Sequence, residues 1–166
     1  MSFAAPVVLT ANHRTDSFDC GNEALNLFLK RFALSNIAAG VARTYVTIQL
    51  DHNEVLAYYS LAAAAVDKTR LPERIAKGMP AYPIPVIVLA RLAVDRTVQG
   101  QGVGQGLLRD ALRRACAAAD IVGVRAMLVH AKDSAAARFY RKFGFVPSPT
   151  DPLHLMLLIK DIRGHL

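Results

Sequence analysis

The stretch from Ile87 to Ala119 places the strongest constraint on how this chain can fold. It begins with an apolar run, Ile87 to Val94, that is typical of a β-strand, and it continues into a loop containing Gly100, Gly102 and Gly104. It ends in a segment whose apolar residues recur at helical spacing: Leu107, Leu108, Ala111, Leu112, Ala115 and Cys116. Glycines let backbone N–H groups approach an anion, and a helix start adds unpaired donors. The stretch therefore predicts a diphosphate-binding loop.

Two common glycine loops do not fit this stretch. A Walker loop would end in Gly-Lys-Ser/Thr, whereas this one ends in Gly104-Gln105-Gly106. A dinucleotide fingerprint needs G-x-G-x-x-G, but the glycines here are spaced by two, and no predicted parallel strand places Asp120 as the acidic partner. Gln99, Gly102 and Gly104 instead spell Q-x-x-G-x-G, which resembles the acetyl-coenzyme A signature of the GCN5-related N-acetyltransferase (GNAT) family.

A second motif resembles the other landmark of the same family, N-x-x-A-x-x-x-Y-x-x-x-G-F. Ala136, Tyr140, Gly144 and Phe145 match it, and Asp133 stands where the family has Asn. The two motifs together cover roughly the last half of the chain. The resemblance implies that Tyr140 lies near the thioester sulfur as the catalytic residue; the alternative is a core aromatic. It implies that the cofactor acetyl-CoA is bound by Leu92, Ala93, Val94, Gln99, Gly100, Gly102, Gly104, Gln105 and Asp133.

The first half of the chain resembles a narrower group. Phe18 to Gly40, followed by Arg43 to Val46 and Ala57 to Ala62, is similar to the acetyltransferase toxins of bacterial type II toxin–antitoxin systems. This resemblance implies a cytoplasmic protein that acetylates the α-amino group of an aminoacyl-tRNA and blocks translation. It also implies a cognate antitoxin of ribbon-helix-helix type and a homodimer. Which aminoacyl-tRNA is acetylated cannot be read from the sequence.

The acidic residues favour an α-amine as the acceptor. The three glutamates, Glu23, Glu54 and Glu73, lie outside the signature, and the central strand has no acid before Asp95. A lysine amine with a pKa of about 10.4 would need a base, whereas an α-amine with a pKa near about 8 is partly neutral at pH 7. Direct attack of the amine on the thioester then needs mainly positioning, unless folding brings a distant acid near.

Charge and composition fit a folded RNA-directed enzyme. The 166 residues predict one domain over 1–166, and 53% of them are hydrophobic. Twenty Lys and Arg against thirteen acids give a net charge of +7, which suits a polyanionic partner or serves solubility alone. Neither the cysteines nor the five histidines have metal-ligand spacing, so no metal is predicted; the sequence pattern also predicts neither a membrane segment nor a signal peptide. The candidate tRNA contacts are Arg91, Arg43, Lys77, Arg138, Arg141 and Lys142.

The order of predicted elements indicates an α/β protein of α+β type with a central sheet, and the family resemblance implies the GNAT fold. Six to seven strands would form one mixed sheet flanked by about four helices. The first helix, capped at Asp19 or Asn22, carries the stripe Leu25, Phe28, Leu29 and Phe32 and stops at Gly40. The other predicted strands are Val7–Leu9, Ala42–Asp51, Val55–Val66, Arg125–Ala131, a strand that starts at Phe145-Val146 and is broken by Pro147 and Pro149, and Leu153–Ile159. The other predicted helices are Glu73–Lys77 and a helix that is capped at Asp133 or Ser134 and ends at Gly144.

Two other functions stay open on the sequence alone. A housekeeping N-acetyltransferase for a small amine or a protein N-terminus would use the same coenzyme site but would ignore RNA. A non-catalytic acyl-CoA-binding regulatory module would bind the cofactor without turnover and would tolerate the loss of Tyr140.

Overall fold

The computed structural model describes residues 3–164; His165, one of the five histidines, lies outside them. Seven strands form a mixed sheet in the order β1-β2-β3-β4-β5-β7-β6. They are β1 (Val7–Val8), β2 (Arg43–Ile48), β3 (Val55–Val66), β4 (Ile84–Val94), β5 (Ala126–His130), β6 (Val146–Ser148) and β7 (Asp151–Leu158). β4 and β5 pair in parallel, whereas β1–β2, β2–β3, β5–β7 and β6–β7 pair antiparallel. The predicted fold class is confirmed.

The described residues contain six α-helical segments. They are α1 (Glu23–Leu27), α2 (Ala33–Ala39), α3 (Glu73–Ala76), α4 (Val103–Ala119), α5 (Ser134–Lys142) and α6 (Ile159–Arg163). The apolar stripe predicted for α4, from Leu107 to Cys116, is buried. Of the predicted caps, Asn22 accepts from the backbone N–H of Leu25 at 3.1 Å, and Asp133 accepts from that of Ala136 at 2.8 Å.

The first helix departs from its prediction at a π-helical turn, Phe28–Phe32, which separates α1 from α2. The Ala33 N–H donates to the carbonyl of Phe28, five residues back. This wider turn adds a residue and shifts the phase of the helix. Phe28 and Leu29 are therefore buried as predicted, but Phe32 is 49% exposed and Ala33 takes its inward position.

The chain divides into two compact units. The first unit comprises the residues up to Ala62 together with Ala90–Ala111, and the second comprises Ala63–Leu89 together with the residues from Leu112 onward. The core of the first unit gathers Leu9, Phe18, Phe28, Leu29, Val46, Tyr58 and Ala93. The core of the second unit includes the four buried residues that open β5, Ala126–Val129, paired with Leu155–Leu158 of β7.

Candidate active site

The predicted diphosphate loop lies in the first unit between β4 and α4. β4 ends at Val94, a 3₁₀ turn spans Arg96–Val98, and α4 begins at Val103. Gly100 and Gly102 have φ angles of 80° and 79°, which side-chain-bearing residues rarely adopt. The loop therefore needs glycine at both positions, and it leads directly into the N-terminus of a 17-residue helix. An anion at this point would meet unpaired backbone N–H groups and the positive end of the helix dipole.

Gln99 holds the loop in place with its side chain. Its amide donates to the carbonyl of Val94 at 2.8 Å and to the carbonyl of Cys20 at 3.2 Å. These bonds tie the loop to the end of β4 and to the segment that precedes α1. The amide group of Gln99 is thus engaged with the protein, and the glycine backbone offers the donors for a ligand.

Asp95 also organises this loop, although neither of the two sequence motifs includes it. Its buried carboxylate accepts from the Thr97 N–H at 2.9 Å, the Thr97 hydroxyl at 2.7 Å and the Asp19 N–H at 2.9 Å. An Asp two residues before a Thr, directly after an apolar strand, is the pattern of an Asx turn. The sequence therefore contains a local signal for the bonds between Asp95 and Thr97. It contains no signal for the bond to Asp19, which lies 76 residues away.

Arg91 of β4 packs against an aromatic ring in the first unit. Its guanidinium carbon lies 3.7 Å from the centroid of the Phe28 ring, and Phe28 stacks on Tyr58. A guanidinium over a ring face gains a cation–π attraction and loses side-chain freedom. The π-helical turn that begins at Phe28 supplies this ring. Arg91 is therefore a half-buried, oriented cation rather than a solvated charge.

Tyr140 lies on α5 in the second unit. It is 8% exposed, and its ring makes edge contacts with Phe139 and Phe145, at centroid distances of 5.2 and 5.7 Å. Burial raises the pKa of Tyr140 to about 12, so the phenol keeps its proton at neutral pH. Within residues 3–164 its hydroxyl has no hydrogen-bond partner, and it remains able to donate to a ligand.

The remaining predicted site residues divide between the two units. Leu92, Ala93 and Val94 end β4, and Arg43 is exposed at the start of β2, all in the first unit. The second unit holds Asp133, whose carboxylate caps α5, and four exposed cations: Lys77, Arg138, Arg141 and Lys142. The last three are spaced i, i+3 and i+4 and form one basic face of α5.

A cavity of about 470 Å³ lies within the second unit, and Tyr140 is not among its lining residues. It is lined by α3 and by the ends of β6 and β7, with Arg74 and Asp161 paired at its edge. Among residues 3–164, no three His, Cys, Asp or Glu side chains are grouped to hold a metal ion. Over the same residues, no helix is long and apolar enough to cross a membrane.

Comparison with known proteins identifies relatives along the whole chain. Residues 42–147 match the model of the acetyltransferase (GNAT) domain. A tRNA-acetylating toxin of Mycobacterium tuberculosis is 45% identical over 162 residues, which cover 98% of this chain and 96% of that protein. The region that matches the family model includes both the glycine loop and the motif that contains Tyr140.

Solved structures agree with this similarity. AtaT complexed with acetyl-methionyl-tRNAfMet superposes with a TM-score of 0.90 at 32% identity, covering 98% of each chain. An AtaT variant bound to acetyl-CoA and to the C-terminus of the antitoxin AtaR has a TM-score of 0.83 at 30% identity. That match covers 98% of this chain and 97% of the variant.

Proposed function

The chain belongs to the GNAT acetyltransferase family, and we propose that it is a toxin that transfers the acetyl group of acetyl-CoA to the α-amino group of an aminoacyl-tRNA. Such a transfer blocks translation. The observation that carries the proposal is the end-to-end similarity to a tRNA-acetylating toxin. The complex of AtaT with an acetylated aminoacyl-tRNA supports it from a second relative.

Acetyl-CoA is the donor in this proposal. The backbone N–H groups of Gly100, Gly102 and Gly104 bind its diphosphate, supported by the left-handed φ angles at two of these glycines. Gln99, which fixes the loop through its side chain, and Gln105 in the first turn of α4 complete the diphosphate site in this proposal. Leu92, Ala93 and Val94 offer backbone groups of β4 to the pantetheine arm, and Asp133 contacts the same arm besides capping α5.

Tyr140 is the catalytic residue in this proposal. When the C–S bond of the thioester breaks, the sulfur gains negative charge, which a phenol O–H can stabilise. A phenol with a pKa of about 12 is a much weaker acid than a thiol, whose pKa is ordinarily about 8.5. Tyr140 therefore donates a hydrogen bond to the departing sulfur and keeps its proton.

The candidate tRNA contacts in this proposal are basic residues of each unit. Arg91 lies on the central strand β4, where the proposal expects the acceptor amine to enter. Arg43, Lys77 and the basic face of α5 add positive charge to an already basic chain. The proposal further includes a single catalytic domain over 1–166, a cytoplasmic location, a homodimer, and neutralisation by an antitoxin of ribbon-helix-helix type. The complex of AtaT with the C-terminus of the antitoxin AtaR supports binding of an antitoxin.

Charge on the α5 face gives a direct prediction. Replacing Arg141 and Lys142 together by alanine should weaken binding of charged tRNA and lower the slope of log affinity against log salt by about 1 per cation removed. Turnover at saturating tRNA should stay near that of the wild type. The exposed Lys160→Ala on α6 is the matched control. A slope unchanged by the double substitution would remove this face from the RNA-binding surface.

The proposal as a whole is tested by acetyl transfer from labelled acetyl-CoA to a pool of charged tRNA. Deacylated tRNA and free amino acids are the controls. Label on charged tRNA alone supports the proposal, and sequencing of the labelled tRNAs identifies the substrate. Label on small amines alone would favour a housekeeping acetyltransferase, and coenzyme binding without any transfer would favour a regulatory module.

A further inference from the structure

His130 stands at the point where the parallel pair of the sheet comes apart. The β4–β5 ladder runs from Val86 opposite Ala126 to Leu89 opposite Val129, and His130 is the next residue of β5. The four β5 residues before it are buried, whereas His130 is exposed. In open α/β sheets, ligands bind outside the carboxyl ends of the strands. His130 thus presents an imidazole at the end of the sheet where a reacting group is expected.

The imidazole of His130 is held by a second histidine. It stacks on His154 of β7, with ring centroids 4.1 Å apart and an interplanar angle of 20°. A guanidinium nitrogen of Arg70 lies 3.1 Å from Nδ1 of His154. Because a guanidinium can only donate, that Nδ1 must accept, which makes His154 the neutral Nε2–H tautomer. The Nε2 of His154 faces the carboxylate of Asp151 at 3.5 Å.

The surroundings keep His130 neutral at pH 7. Partial burial lowers the pKa of His130 below its usual 6.5, and the neighbouring His154 and Arg70 lower it further. Asp151 acts in the opposite direction and is the weakest of the four influences. A neutral imidazole carries one unprotonated ring nitrogen, which can accept a proton.

Five of the six carboxylate side chains of the second unit are engaged elsewhere. Asp67 and Asp133 cap the starts of helical turns, Asp120 pairs with Arg163, and Asp161 pairs with Arg74. Asp151 accepts from the Leu153 N–H and faces His154. Glu73, the sixth acid, begins the short α3. Among the titratable side chains of this unit up to residue 164, His130 is the base that is both neutral and open to solvent at the carboxyl end of β5.

We propose that His130 is a second catalytic residue, the acceptor of the proton that the attacking amine releases; the inference rests on the proposed acetyl transfer. As the neutral α-amine attacks, a C–N bond forms to the thioester carbon and His130 takes one amine proton. The C–S bond then breaks with its electron pair on sulfur. The proton passes from the imidazolium through water to that thiolate, so the products are the acetylated amine and free CoA.

The test compares His130→Ala with His52→Ala, the same substitution at an exposed turn of the first unit. We expect His130→Ala to lose about 100-fold or more in turnover at pH 7, since positioned general bases contribute about that much. Added imidazole should restore rate in proportion to its free-base concentration. His52→Ala should keep full turnover, and His130→Gln should lose rate like the alanine variant. Unfolding temperature and acetyl-CoA affinity, measured on each variant, separate catalysis from folding.

A readout without turnover comes from the ring itself. We expect NMR titration of the free protein to give His130 a pKa below 6.5, and His154→Ala to raise it because the covering ring is gone. Loss of rate without imidazole rescue, or a higher KM for tRNA with unchanged turnover and a smaller salt slope, would overturn the base role. If the wild type acetylates only a small amine, the proposed function fails, while the same rescue comparison on that amine still decides the role of His130.

Discussion

Replacing Tyr140 by phenylalanine is expected to lower turnover by about 100-fold or more while acetyl-CoA affinity stays within about twofold, as for the loss of one transition-state hydrogen-bond donor. The phenylalanine ring keeps the edge contacts with Phe139 and Phe145, so the packing around α5 is retained. Only the hydroxyl is removed, and its partner is charge that develops as sulfur leaves. The measurement is single-turnover acetylation of charged tRNA, together with calorimetric titration of acetyl-CoA.

Tyr82→Phe is the matched control, because Tyr82 is 66% exposed in the loop before β4 and loses the same hydroxyl. Near-normal turnover of Tyr140→Phe would contradict the catalytic role. The protonation state has its own test. With a pKa of about 12, Tyr140 should add nothing to the phenolate absorbance of the folded protein below about pH 11. A difference between the wild type and Tyr140→Phe at pH 10 would show that Tyr140 is an ordinary acid.

The parts of the fold that the sequence predicted well are those set by local chemistry. The α4 stripe, the cap at Asn22, the cap at Asp133 and the glycine loop all follow from spacing or from a single residue type. Each of these features is decided within a few residues. The two motifs therefore locate the strand, loop and helix of the coenzyme site without any long-range contact.

The element boundaries and the helical turn that the sequence did not predict depend on features that a local pattern does not show. β4 begins at Ile84, three residues before the predicted start, because a proline near the first residue of a strand removes no essential donor. The last strand begins at Asp151 and gives way to α6, where the apolar run Leu157–Ile159 conceals the change from strand to helix. The π-helical turn at Phe28 is invisible in a helical stripe, yet it supplies the ring beneath Arg91.

Candidate site residues were missed where partners are distant in sequence. The sequence places His130 near the end of a predicted strand, but its stack on His154 and the contact of His154 with Arg70 span 24 and 84 residues. Asp95 was noticed only as the first acid after the strand. Its importance comes from a bond to Asp19, on a segment that a sequence pattern does not connect to the glycine loop.

Asp95→Ala is expected to lower the free energy of unfolding by about 2–3 kcal/mol, because three part-buried donors lose their acceptor at about 1 kcal/mol each, the lower end of the range for buried groups. The donors are the backbone N–H groups of Asp19 and Thr97 and the hydroxyl of Thr97. Acetyl-CoA affinity should fall about tenfold in the same variant, since a loop that is no longer pre-organised must be ordered on binding. Urea unfolding and calorimetric titration measure the two effects.

Asp95→Asn is the matched comparison, since an amide keeps one acceptor oxygen of the same shape for the Thr97 donors or for Asp19, though not for both. We expect it to lose about half as much stability as the alanine variant, or about 1–1.5 kcal/mol. Asp16→Ala, at an exposed position in the first unit, controls for loss of a surface carboxylate. If Asp95→Ala unfolds like the wild type and binds acetyl-CoA equally well, the loop is fixed by Gln99 and the glycines alone. If stability falls but affinity does not, the Asp95–Asp19 bond supports the unit without shaping the diphosphate loop.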